Sequence, residues 1–164
     1  MDHESTLNQV VASIHDNSAL NTAMTGWYGR APLIFQGMDL KNRPKKDQCP
    51  AIEIDLVGGQ NNTESDDDGF DVNTCYLSLI LTIHDDTEVD TDLDRLREKA
   101  GVIRREAFRR MVTRAVIDAV AGMEIYVAGI EHTNNEIEQF PFWQVVLAVG
   151  FTEQITLGQD PFNE

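Results

Sequence analysis

Hydrophobic positions recur at two periods along this chain, and the switches between them mark its elements. From Asp90 to Ala121 the period is three to four. Leu96, Ala100, Ile103, Ala107, Met111 and Ala115 form one row, and Phe108, Val112, Val116 and Ala119 widen it into the stripe of a helix with one buried face. Asp90, Thr91, Asp92 and Asp94 suit an N-cap and the positive end of a helix dipole, and Gly122 suits the stop. Gly101 is the weak point. Glycine inside a helix costs about 1 kcal/mol relative to alanine, so the pattern predicts a kink or break there and a firm helix from about Val102. A shorter helix is expected over residues 5 to about 16, capped by Ser5 or Thr6, with Leu7, Val10, Val11 and Ile14 on one stripe. A further turn through Leu20 and Met24 ends at Gly26. Trp27, Tyr28, Leu33, Ile34 and Phe35 are too apolar for a wholly solvated loop, so part of 27–38 must pack down.

Elsewhere the period is two. Ile52, Ile54 and Leu56 alternate with Glu53 and Asp55 in a strand over Ala51–Val57. A second strand, Val72–His84, puts Cys75, Leu77, Leu79, Leu81 and Ile83 on one face. Glu124–Ile130 reads as the third strand, His132–Gln139 as a turn around Asn134-Asn135, and Phe142–Glu153 as the fourth. That last strand carries Trp143, Val145, Leu147, Val149 and Phe151 on one face, and its other face is also mostly apolar, so it is central or covered by a partner. Adjacent strands joined by loops form antiparallel hairpins. The fold class is α+β: a four-stranded, mainly antiparallel sheet of two hairpins, a long helix between them, and an N-terminal helix packed on one face. Residues 1–164 read as one domain, with a mobile acidic loop at 58–71 and an extended tail at 155–164.

The chain has 164 residues, enough for one domain with a real core, and a formal net charge of −15. That charge disfavours free binding to DNA or anionic membrane, and suits a protein that borders a DNA path without gripping it. No apolar run is long enough to span a bilayer, and the acidic N-terminus lacks a secretory h-region. Cys49 and Cys75 lack metal or redox spacing and read as reduced thiols.

The positive charge is uneven. Arg30, Lys41, Arg43, Lys45 and Lys46 sit in one loop interrupted by Pro44 and Pro50, and the remaining cations lie on the 95–114 segment. A basic helix can bind nucleic acid, but Glu106 stands three and four residues before Arg109 and Arg110, which gives local pairing. Arg104, Arg105, Arg109 and Arg110 are therefore candidates for internal and subunit contacts.

Catalytic and cofactor signatures are missing: no G-x-S-x-G, P-loop or dinucleotide fingerprint occurs, and the four histidines show no ligand spacing. His84 and His132 each end a strand and could meet across the sheet. Glu64-x-Asp66-x-Asp68-Gly69 imitates the first half of a calcium loop, but the position that requires a bidentate Glu holds Cys75. Asp66, Asp67 and Asp68 remain a candidate for loosely held divalent ions, against the simpler reading of a solvated acidic loop. Asn61-Asn62-Thr63 matches a glycosylation sequon by chance.

The element order carries a resemblance. An N-terminal helix and a basic, proline-containing loop precede the strand Pro50-Ala51-Ile52-Glu53-Ile54-Asp55-Leu56. A strand ending in His84-Asp85 leads into one long helix, and a closing hairpin carries Phe140-Pro141-Phe142-Trp143. This resembles the tail terminator, or tail completion, proteins of long-tailed bacteriophages over nearly the whole chain. The resemblance implies a structural virion protein without catalytic residues or cofactor, at the head-proximal end of the tail and assembled in the host cytoplasm. It implies a homo-hexameric ring that caps the completed tail tube, meets a neck or head-completion protein, and lets genomic DNA pass without specific binding. Another neck or head-tail completion ring, or a small α+β enzyme or ligand-binding domain, are the alternatives.

Overall fold

The structure, a computed structural model, describes residues 2–39, 41–62, 70–90, 97–135 and 140–156. Helix α1 spans His3–His15 and α2 spans Ser18–Tyr28. The caps differ from those expected. Asp2 starts α1, its carboxylate accepting from the Glu4 N–H at 3.1 Å, while Thr6 is buried and its hydroxyl donates back to the Asp2 carbonyl. Asn17 caps α2 by accepting from the Leu20 N–H at 2.9 Å. The helix runs through Gly26 and stops at Gly29, whose φ of 81° is the left-handed conformation that glycine adopts without strain.

Strand β1, Leu33–Gln36, lies in the apolar stretch expected to pack down and adds a fifth strand; Tyr28 and Ile34 reach the core, while Trp27, Leu33 and Phe35 stay exposed. A 3₁₀ turn at Lys46–Gln48 and the cis Cys49–Pro50 bond lead into β2, Ala51–Asn62. Strands β3 (Phe70–His84), β6 (Ile125–Asn135) and β7 (Phe142–Thr156) complete a mixed sheet of order β1-β2-β3-β7-β6. β1 runs parallel to β2, and all other neighbours are antiparallel. The fold is thus α+β with the two expected hairpins, β2–β3 and β6–β7, and five strands in place of four.

Every strand is longer than its hydrophobic pattern. Residues 58–62 and 70–71, expected in the acidic loop, are paired strand, with Asn62 opposite Val72. Residues 131–135 continue β6 where a turn was expected, and 155–156 belong to β7 rather than to a tail. The expected mobility at 63–69, the turn residues 136–139 and the tail 157–164 lie outside the described residues.

The long helix is the largest correction. α3 spans Ala100–Ala119, so the expected start at Asp90 is about ten residues early, while the firm helix expected from about Val102 begins close to that point. Glu88–Asp90 (β4) pairs instead with Arg97–Lys99 (β5) as a small ribbon, tied by Lys99 Nζ to Glu88 at 3.6 Å. The Ala100 N–H donates to the Thr87 carbonyl at 2.8 Å, so backbone rather than an aspartate satisfies this orphan donor. Gly101 lies in the first turn with no break.

The core lies between one sheet face and the three helices. Leu77, Leu79, Leu81 and Ile83 of β3 meet Val145, Leu147, Val149 and Phe151 of β7, with Ile52 and Ile54 beside them. Val10 and Ile14 of α1, Leu20 and Met24 of α2, and Phe108, Val112, Ala115 and Val116 of α3 close over them. The α3 stripe is therefore centred on Phe108 and Val112, and Ile103, expected inward, is 50% exposed. β7 is central, as its two apolar faces indicated.

Candidate functional site: the second face of the sheet

Strand alternation sends every second residue away from the helices. At the end of the sheet near Ala51 this second face is covered. The loop 37–48 crosses it, and Arg43 stacks its guanidinium 3.8 Å from the centre of the Phe142 ring. Beneath lie Glu53, which accepts from the Asp39 N–H at 3.1 Å, and a polar row across three strands. In that row Asn135 donates to Gln144 and Gln144 donates to Thr82, both at 3.1 Å. An open cavity of about 990 Å³ remains under the loop, between Phe35, Lys41, Arg43, Glu53 and Phe142.

Above the loop the face is bare. Val57, Tyr76 and Tyr126 are 59%, 47% and 62% exposed, and Ala148 is exposed beside them. Gly58, Tyr76, Gly150 and Gly129 form one row across four strands. Both outer strands of this row bulge there, β2 between Leu56 and Gly58 and β6 between Val127 and Gly129. The Tyr76 ring lies over the small residues: a Cβ at Gly150 would sit 3.4 Å from it. A recess of about 510 Å³ follows, with Gly129, Ala148 and Gly150 as floor and Val57, Tyr76 and Glu131 as rim. The charged residues of this bare part are Asp55 and Glu131, which register with Ser78 and Ala148; among the described residues it carries no lysine or arginine.

A buried polar joint holds the helices to the sheet. The Asp85 side chain, 1% exposed, accepts from Tyr28 Oη at 2.7 Å, Arg104 Nη1 at 2.9 Å and the Thr87 N–H at 2.9 Å. Its carbonyl accepts from Trp143 Nε1 at 2.9 Å. Burial by itself would raise the Asp85 pKa; the hydrogen bonds from Tyr28, Thr87 and Arg104 outweigh it and hold the carboxyl below its ordinary range. Burial, followed by the bond to Asp85, pushes the Tyr28 phenol up. With four donors on one residue, this constellation is a structural joint of α2, β3, α3 and β7. In the sequence its only trace was a lone His-Asp at a strand end.

The four arginines do not form one docking face. Arg104 belongs to the Asp85 joint. Arg105 is 6% exposed, its guanidinium 5.6 Å from the Trp143 ring centre. Arg109 pairs with Glu106, and Arg110, the most exposed, stands 3.5 Å from the same carboxylate. The Glu106 pairing that the spacing predicted is present, and of the four candidates Arg110 alone is largely exposed. His84 and His132 do not meet: they register with Phe142 and Leu147, five rows apart on opposite faces, and His84 packs edge-on against Phe142. Among the described residues no group of three or more His, Cys, Asp or Glu side chains is placed to hold a metal; Asp66, Asp67 and Asp68 lie outside them. Cys49 and Cys75 are buried free thiols, and burial raises the Cys49 pKa to about 11 despite Arg30 and Arg43 nearby. No described helix is long and apolar enough to cross a membrane.

No protein-family model matches the chain, and no curated protein is detectably similar to it.

Proposed function

We propose that this chain is a subunit of a tail-terminator-like ring, a hexamer that caps a completed phage tail tube and passes DNA through its lumen. The observation that carries the reading is the second face of the sheet. Above the loop it is broad, bare and free of described cations, with Glu131 exposed on it and Asp55 half-buried. A duplex sliding along such a face meets carboxylates that repel phosphate and, among the described residues, no lysine or arginine to neutralise it; the Tyr76 and Tyr126 hydroxyls offer single hydrogen bonds without charge. With the helices on its outer side, the subunit presents this face to the lumen and Arg110 to neighbouring surfaces. The tube protein and a neck or head-completion protein are its partners along the axis, and its place is the head-proximal end of the tail.

Mass measurement in solution with negative-stain imaging, on the purified chain alone and after addition to isolated tail tubes, tests the reading. The expected result is a ring of six at the tube end. A chain that remains monomeric and leaves tube ends bare overturns it.

A further inference from the structure

We infer that copies of this chain join edge to edge, β6 of one subunit pairing antiparallel with the exposed part of β2 of the next. The inference rests on the ring reading and specifies how the ring closes.

Both edges are open. β6 is the last strand of the sheet, and among the described residues no backbone group bonds to its outer side over Ile125–Asn135. On the opposite side β1 covers β2 only at Ala51–Ile54, and the Gly37 N–H bond to the Ile54 carbonyl ends that cover. From Asp55 to Asn62 the outer edge of β2 pairs with no other strand among the described residues. Natural sheets blunt exposed edges with lysine, proline or short strands. β1 is such a short strand, but residues 125–135 contain no lysine, arginine or proline.

The two edges also match. β6 runs opposite to β2 within the sheet, so placing it beside the β2 of a neighbour continues the antiparallel alternation. Level rows such as Glu131–Ala148–Ser78–Asp55 would run His132–Asn135 into β1 beside Ala51–Ile54, so the contact sets Ile130–Asn135 against Asp55–Asn61, a stagger of four rows of the kind that tilts strands in a closed sheet.

The helix layer leaves room for the neighbour. α3 lies over β3 and β7 and α1 over β2, and on the helix side of β6 Ile125, Val127 and Ile130 are only half-buried. A β2 joined to β6 brings its own α1 alongside this half-covered strand. Because the edges differ, the contact is heterologous and closes as a ring when the rotation allows. Six copies contributing four strands each, spaced about 4.8 Å, would enclose a bore of at least about 37 Å between opposing backbones, wider as the strands tilt.

Amide hydrogen exchange on the full chain, free and in its assembled state, together with images of the assembly, tests this. Exchange across 130–135 and 55–61 should slow by about tenfold or more on assembly. The double variant Glu131→Lys/Thr133→Lys, at two exposed edge positions, should stay folded and associate at least about tenfold more weakly. An assembly whose β6 amides exchange as in the free chain, or that forms unchanged with both lysines, overturns the edge contact and leaves the ring. β6 protection in a filament or dimer supports the contact and overturns the ring. A chain that never associates, alone or on tubes, overturns both.

Discussion

The indole of Trp143 occupies the space that a side chain at Gly101 would need. A Cβ built on Gly101 collides with three indole atoms, including Nε1, which donates to the Asp85 carbonyl. The glycine that reads as a helix defect is thus the position that lets α3 approach the start of β7.

Gly101→Ala separates the two views. Helix propensity alone forecasts a gain of about 1 kcal/mol. The indole contact forecasts a loss of about 1–3 kcal/mol from overpacking, as for other enlargements in filled cores. Urea unfolding followed by tryptophan fluorescence measures the sign.

Asp85→Ala removes one partner of the buried joint and leaves Arg104 uncompensated, for an expected loss of about 3–5 kcal/mol. The pH dependence has a definite sign. The folded-state pKa of Asp85 is depressed, so its contribution is fully present above the ordinary carboxylate value of about 3.9 and is lost as pH falls through the folded value. Asp85→Asn should therefore flatten the acid limb of a stability–pH curve below about pH 4 relative to the wild-type chain.

Leu79 and Leu147 face each other across β3 and β7 and are both fully buried. Truncating either to alanine should cost about 2–5 kcal/mol in denaturant unfolding. A loss under about 1 kcal/mol would mean a different register.

Charge reversal should divide the arginines. Arg105→Glu puts an acid in a site only 6% exposed and should lower the thermal midpoint sharply. Arg110→Glu should leave the midpoint nearly unchanged and weaken association, read by light scattering. Association of chains of net charge −15 should strengthen with added salt, which screens repulsion beyond a Debye length of about 10 Å at 0.1 M.

What the sequence revealed was whatever one period controls. Leu77-Leu79-Leu81 and Val145-Leu147-Val149 announced their face because each is paired on both sides within the sheet. Strand ends were hidden. Gly58-Gly59-Gln60-Asn61-Asn62 has the composition of a loop and stays extended because Val72–Tyr76 pairs with it. β1 was hidden for a related reason: four residues in a parallel edge pair need no alternation. The aspartates from Asp90 looked like a helix start, yet α3 begins where the Thr87 carbonyl and the Trp143 indole set it. The bare second face was half legible, in Val146, Ala148 and Gly150 on the far side of β7. The edges were not, because which strand lies outermost is decided by pairing order.

The row of Gly58, Tyr76, Gly150 and Gly129, with a bulge at each flank, gives the sheet a crease. Below it the strands are clamped by three helices and the basic loop. Above it the four strands continue together as a leaf with a lever arm of about 14 Å from Gly58 to Asn62, at roughly 3.4 Å per residue. A tilt of about 10° at the crease would carry the end of that leaf about 2.5 Å with the ladder below intact. Under the proposed ring, such a tilt would let the rim follow a neighbouring structure of slightly different diameter while the core keeps one packing.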